Sequence, residues 1–449
     1  MANFAQLRPV WRVVRATIYL LIALAPLLAA PPARAQAGGP IYTVAVDGVI
    51  SRYAVGYLRR ALREAEAAQA TALIIRLGGE GAVLRDVRGL AADLAAAKVP
   101  VVVYVAPAGT RSGAAGAWLL GAAHLAAMAP GTSFGAAAPL AAPTGDTSPQ
   151  VRDLFLAEVV GQLGGWNRAR GRSDAWVDRA ARVGAVLTNE QAIALTPPAV
   201  DIVARDGQDL LTSLEGRAVT LDDGSQLVLH TLGRAAVPLE PSVAEQILLL
   251  LADPTVAFLL LVMAGIAIYA EFVTPAVGIL AGIGAVLLVS SMVGLLALPV
   301  SWLSLLGLAL AFGLVAADLF VPSHGGLTLV GLIVLVLSAL TLFDAAQAPG
   351  VAVALWAIAL VSLLIAGFAA VGIYLVVRTR GRPVTTGQES LIGLLAEVRQ
   401  RLAPDGMVFV EGALWRAICE NGEADAGEYV RITAIHQLRL SVRRLDETP

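Results

Sequence analysis

Apolar and polar positions change rhythm three times along the chain. From Ile41 to about Leu239, apolar runs such as Ile41-Tyr-Thr-Val-Ala-Val46 and Ala72-Leu-Ile-Ile-Arg-Leu77 alternate with Ala-rich segments of helical spacing, Leu58 to Ala70 and Arg85 to Ala97. This alternation predicts a parallel sheet covered by helices, and roughly two hundred residues can bury a core of their own. From Pro254 to about Val377 the chain is almost continuously apolar, cut only at Thr274-Pro275, Leu298-Pro299, Pro322 to Gly326 and Asp344 to Gly350. Each piece has about 17 to 27 residues, the length that crosses about 30 Å of hydrocarbon as a helix. Five spans are therefore predicted over 254–377, and pieces so long and uniformly apolar do not suit barrel strands. After Arg382 short alternating runs appear, Met407-Val-Phe-Val410 and Tyr429-Val-Arg-Ile432, between turn signals at Gly393, Pro404-Asp-Gly406 and Glu411-Gly412. That spacing predicts a small closed barrel over 383–449.

Charge sets the topology. Arg8, Arg12 and Arg15 lead into an apolar run from Ala16 to Ala30, and Ala33-Arg34-Ala35 follows. These are the three parts of an export signal over residues 1–35, with an uncleaved anchor helix as the alternative. Arg378, Arg380 and Arg382 directly after the last span mark that end as cytoplasmic. With five spans, the α/β domain at 36–240 is expected outside the cytoplasm and the barrel inside, in a multi-pass protein of the cell membrane.

Composition removes several function classes. A hydrophobic content of 57% places part of the chain in lipid, and a formal net charge of −2 gives no basic field for nucleic acid. From Pro383 onward ten acidic residues face seven arginines, so the barrel lacks a basic groove and protein contact is expected of it instead. Cys419 is the only cysteine, and His124, His230, His324 and His436 are far apart. Neither a metal centre nor a disulfide is expected, and no cofactor is called for. Lys98 is the only lysine, so a lysine mechanism has one candidate.

The segment richest in chemistry runs from Val99 to Gly135. Its apolar strand turns through Pro107-Ala-Gly109 into Arg111-Ser-Gly-Ala-Ala-Gly116, a strand-to-helix elbow of the kind on which a serine peptidase carries its nucleophile. With Met128-Ala-Pro-Gly131-Thr132 and Gly135 after it, the chain resembles the NfeD family of membrane-bound serine proteases, which are associated with stomatin-like proteins. Gly171-Arg-Ser173, Trp176, Leu187-Thr-Asn-Glu190 and Val200-Asp-Ile-Val203 carry the resemblance to the end of the domain, and Gly412 to Trp415 extends it into the tail. The resemblance implies an α/β domain of the ClpP/crotonase type, an all-α transmembrane region and an OB-like all-β barrel. It also implies a stomatin- or prohibitin-like membrane partner, a homo-oligomer, and a groove that holds a peptide by strand addition.

Both catalytic places of the family are filled by inert residues. Where the family has Ser-Ala-Gly this chain has Ala114-Ala115-Gly116, and where a lysine base follows a proline it has Gln150 after Pro149. Alanine has no oxygen for attack, glutamine does not titrate, and neighbouring Arg152 is always protonated. Lys98 precedes the strand that feeds the elbow and should lie more than about 20 Å away, at about 3.3 Å per residue. A ClpP-type histidine would fall within Ala136-Ala-Ala138, and His124, near the end of the elbow helix, suits packing or capping. Ser112 stands two residues before Ala114, about 200° around a helix axis. It is expected to be a helix-cap hydroxyl, with a relocated nucleophile as the alternative. Gly78, Gly79 and Gly81, in Leu77-Gly-Gly-Glu-Gly81, take the oxyanion and groove position, but one residue more than the family pattern and the charge of Glu80 disturb it. Loss of nucleophile and base together removes roughly six orders of magnitude in rate. The chain thus reads as a catalytically degenerate scaffold. The alternatives are an active serine endopeptidase using Ser112, and ion transport past the intramembrane acids Glu271 and Asp318. Small-residue faces such as Ala264-Gly265 and Ala281-Gly282-Ile-Gly284 suit close helix packing.

Overall fold

Strands Ile41–Val46 (β1), Ala72–Leu77 (β2), Val101–Val105 (β3) and Leu125–Met128 (β4) lie side by side in parallel, joined by crossover helices Arg52–Ala67 (α1), Leu84–Ala95 (α2) and Gly113–Ala122 (α3). The computed structural model describes residues 38–135, 148–273, 278–318, 320–321, 323, 325–380 and 388–445; the export signal expected at 1–35 and Ala136-Ala-Ala138 lie outside the described residues. The domain continues through Ser133–Gly135 (β5), Pro149–Ala169 (α4), Val177–Val183 (α5), Val186–Thr188 (β6), Asn189–Ala194 (α6), Ile202–Val203 (β7) and Gly207–Leu214 (α7). It closes with Ala218–Thr220 (β8), Gln226–Val228 (β9) and Ala236–Pro238 (β10). The main sheet has the order β10-β1-β2-β3-β4-β7 and is parallel throughout. All five residues of β3 are buried, as a strand covered on both faces requires. Leu73, Ile75, Val101 and Val103 face a core shared with Leu58, Leu90 and Trp118, while Ile74, Val102 and Tyr104 meet Leu210, Leu214 and Val219.

Helix Val243–Leu251 (α8) links the domain to the apolar region. It opens on a capping box, Ser242 Oγ accepting from Glu245 N–H and the Glu245 carboxylate from Ser242 N–H. The Arg60 guanidinium, 2.8 Å from Glu245, ties it to α1. Five apolar helices follow among the described residues: Pro254–Val273 (α9), Ile279–Leu295 (α10), Trp302–Ala317 (α11), Gly326–Leu340 (α12) and Leu355–Arg380 (α13). Sequence spacing predicts five full spans, yet only α9 and α13 are long enough to cross a membrane unaided. With 17, 16 and 15 residues, α10 to α12 reach only roughly 22 to 26 Å at about 1.5 Å per residue. Part of the shortfall arises because two of the breaks are structured loops that consume apolar residues: Ser301 N–H donates to Leu342 O and Asp344 N–H to Pro299 O, so 296–301 and 341–354 fold against each other.

Small residues sit where these helices touch. A Cβ on Gly284 would lie 3.2 Å from Ala264 O, and one on Gly331 would lie 3.0 Å from Ala311 O. The two acids are spent on helix starts. Glu271 accepts from Gly278 N–H (2.9 Å) and Ala281 N–H (3.2 Å), and Asp318 accepts from Thr328 Oγ1 (2.6 Å) and Ser323 Oγ.

The second unit, from residue 367, contains a closed barrel of Leu395–Gln400 (β11), Asp405–Val410 (β12), Ala413–Cys419 (β13), Tyr429–His436 (β14) and Arg439–Arg444 (β15). Its order is β11-β12-β13-β15-β14, with β13 and β15 parallel and the other pairings antiparallel. Every second residue points inward, Val408 and Val410 beside Val430, Ile432, Leu440 and Val442.

Candidate functional site at the elbow

The chain leaves β3 and turns at Gly109, where Thr110 N–H donates to Pro107 O (3.1 Å), before entering α3. Ser133 of β5 stitches the elbow from below: its N–H donates to Thr110 O (3.0 Å) and its carbonyl accepts Ser112 N–H (2.9 Å). Helix α3 is buried on all sides from Ala114 to Ala122, which explains why its sequence has no polar face.

Ser112 occupies the N-cap position, but its hydroxyl does not cap the helix. It is fully buried, turns under α3 and donates to Ser133 O at 3.3 Å. A Cβ on Gly116 would overlap Ser112 Oγ, so the glycine creates the space the hydroxyl fills. The expected cap is therefore replaced by a buried hydroxyl committed to a carbonyl. Ala114, one residue into the helix, is 1% exposed and presents a methyl group.

The glycine turn lies over this helix start. Gly113 has φ +51, a conformation that favours glycine, and a Cβ there would sit 2.9 Å from Glu80 O. Gly78 N–H is used in the sheet, donating to Val46 O at 2.8 Å, and Gly78 and Gly79 admit the close approach of Asp47 and Gly48. The Glu80 carboxylate turns toward Arg111 Nε (3.2 Å) rather than standing unpaired, in a pair that is largely exposed and contributes little to stability. Gly81 O accepts from Ile50 N–H, and Val83 N–H returns to Ile50 O. On the opposite side, Ala82 N–H donates to Pro349 O (3.4 Å) and Leu84 N–H to Gln347 O (3.1 Å). The loop between α12 and α13 thus holds both of these donors.

The other candidates lie apart from this arrangement. Gln150 and Arg152 are exposed in the first turn of α4. Lys98 is exposed ahead of β3, with its backbone N–H on Glu66 Oε1, at the end of the strand opposite the elbow. His124 is buried, and its Nδ1 accepts Val101 N–H at 3.2 Å. Burial, helped by Arg170 and Arg172, drops its pKa to about 3, so it is neutral. Among the described residues no cluster of His, Cys, Asp and Glu could hold a metal ion.

One residue fixing the elbow stands out in the sequence only as part of the run Gly171-Arg-Ser173, with no role attached to it. Arg172 is buried and donates to Leu120 O (2.8 Å), Gly121 O (3.1 Å) and Ala123 O (2.7 Å), the free carbonyls at the end of α3. Asp201, 3.7 Å away, supplies its counter-charge and itself accepts Ala126 N–H. Burial lowers the Arg172 pKa to about 10, which leaves it protonated at neutral pH.

Comparison with known proteins places this arrangement. The NfeD integral membrane domain matches residues 255–377, and the NfeD-like C-terminal, partner-binding domain matches residues 388–444. The chain thus carries an NfeD membrane domain and an NfeD C-terminal domain. It is 27% identical over 445 residues to the membrane-bound protease PH1510 of Pyrococcus horikoshii, covering 96% of this chain and 98% of the relative. It is 24% identical over 442 residues to the membrane protein NfeD1b of Bacillus subtilis, covering 90% and 93%. A solved structure of the 1510-N membrane-bound stomatin-specific protease, a mutant in complex with a substrate peptide, aligns with 26% identity and a TM-score of 0.41 over 47% of this chain and 96% of that one. The chain combines an N-terminal α/β domain built on a parallel sheet, a helical region matched by the NfeD integral membrane domain, and a five-strand barrel.

Proposed function

We propose that this NfeD chain is a catalytically inert, membrane-anchored scaffold that works with a stomatin- or prohibitin-like membrane protein. The observation that carries the reading is the buried methyl group of Ala114 at the elbow, with Ser112, two residues before it, buried and donating to a backbone carbonyl. A serine nucleophile needs an accessible oxygen and a base within hydrogen-bond reach; neither condition is met by Ser112 in this setting. The partner is assigned to the barrel, on the strength of the partner-binding C-terminal domain and the stomatin-specific relative. The ClpP-like domain is assigned to the extracytoplasmic side, the five apolar helices to the bilayer and the barrel to the cytoplasm, as the arginines after the last helix support. Assembly as a homo-oligomer belongs to the same proposal.

The test is a fluorophosphonate probe applied to the full chain in detergent. No labelling is expected. Labelling that disappears in Ser112→Ala would overturn the scaffold and restore the endopeptidase reading.

A further inference from the structure

Building on the elbow assignment above, we propose that the loop between α12 and α13 is a clamp through which the membrane helices hold the elbow closed. Both ends of the loop are fixed to the helical region. At one end Asp344 N–H donates to Pro299 O (2.9 Å), and at the other Ala354 N–H donates to Thr255 Oγ1 (3.1 Å). Between them Asp344 folds the loop on itself, accepting from Ala346 N–H through Oδ1 and from Gln347 and Ala348 N–H through its carbonyl. The tip then offers Gln347 O and Pro349 O to Leu84 and Ala82. Leu84 is the first residue of α2, so the loop supplies an acceptor for one of the donors that a helix start leaves unpaired.

Contact passes inward from the loop to the site. Gly350, at φ +77, lies close enough that a Cβ would be 3.1 Å from Glu80 O, and the same carbonyl would be 2.9 Å from a Cβ on Gly113. The order is loop, glycine turn, helix start, and the next residue is Ala114. Val83, between the two backbone bonds, buries its side chain with Ala348, Val351, Val353 and Phe258 of the membrane-region core. A cavity of about 440 Å³ beside the loop, lined in part by Arg52, Leu84, Leu298 and Gln347, gives it room to swing. Because the loop is the direct connection between α12 and α13, a shift of one helix against the other displaces it. Releasing the clamp frees the Ala82 and Leu84 donors and loosens the turn that covers residue 114.

The experiment needs no ligand. In a Cys419→Ser background, Ala114→Cys reports access to the elbow through its rate of reaction with N-ethylmaleimide. Adding Gly350→Val, which places a side chain against Glu80 in a disfavoured backbone conformation, is expected to raise that rate at least about tenfold, because a covered thiol reacts only in the open fraction. Ala204→Cys, buried in the core on the other face of the sheet, should react at the same slow rate with or without Gly350→Val. An unchanged rate at residue 114 overturns the clamp; so does a parallel rise at residue 204, which reports global loosening. Should Ala114→Cys fail to fold, amide exchange at Ala82 and Leu84 serves instead: it should accelerate in Gly350→Val, and equal protection in both proteins overturns the proposal. Failure of the scaffold reading would appear in fluorophosphonate labelling and failure of the clamp in thiol or amide exchange, so the two are separable.

Discussion

Arg172 shows how far a single side chain can act along the sequence. It stands in the recognisable run Gly171-Arg-Ser173, but its acceptors are carbonyls some fifty residues earlier, and a backbone oxygen has no letter in a sequence. Replacing it by methionine leaves those buried acceptors unpaired, and a loss of about 3 kcal/mol or more is expected in denaturant unfolding. His124 gives a pH test at the same scale. Its folded pKa of about 3 lies below the ordinary 6.5, so between these values the unfolded chain binds more protons than the folded one. Its contribution to stability is therefore complete above about pH 6.5 and is lost progressively as pH falls toward 3. His124→Gln should flatten the decline of melting temperature between pH 6.5 and pH 4.5; an unaltered slope would argue against this role. That Ala114 has no oxygen and Gln150 does not titrate are statements about residue type and need no structure. The burial of Ser112 was not legible in the sequence, because its direction depends on Gly116 leaving a hollow beneath the helix.

Among elements, strands β1 and β2 follow the apolar runs residue for residue, since a parallel strand covered on both faces leaves few positions for polar side chains. Five apolar helices stand where five spans were expected, but only α9 and α13 have the length of a span. Hydropathy marks where a chain is apolar, but the hydrogen bonds between 296–301 and 341–354 help decide where α10 and α12 stop. The same limit applies to Glu271 and Asp318, which composition presents as candidates for an ion path. Their carboxylates instead receive donors at the starts of α10 and α12, where negative charge is favoured. Asp318→Asn and Glu271→Gln should each lower stability by about 1 kcal/mol, seen as a lower melting temperature in detergent. Ion flux into liposomes should stay at the wild-type level, and a drop in flux with Asp318→Asn would revive the transport reading.

For the molecule as a whole, the order of its parts is written plainly in the sequence, whereas the meeting of Gln347 with Leu84 is not. Asp344 to Gly350 reads as a mere break between spans, and nothing in its composition says that its carbonyls reach back some 260 residues to the α/β domain. The short middle helices carry a further consequence. On the proposed five-span arrangement, about 30 Å of hydrocarbon would have to thin around three helices that cover roughly 22 to 26 Å. Reconstituted in vesicles of graded acyl-chain length, the protein should melt highest in lipids of about 14 carbons and lower in those of about 20. In a cell membrane of uneven thickness, that preference would collect it in the thinner patches before any partner is met.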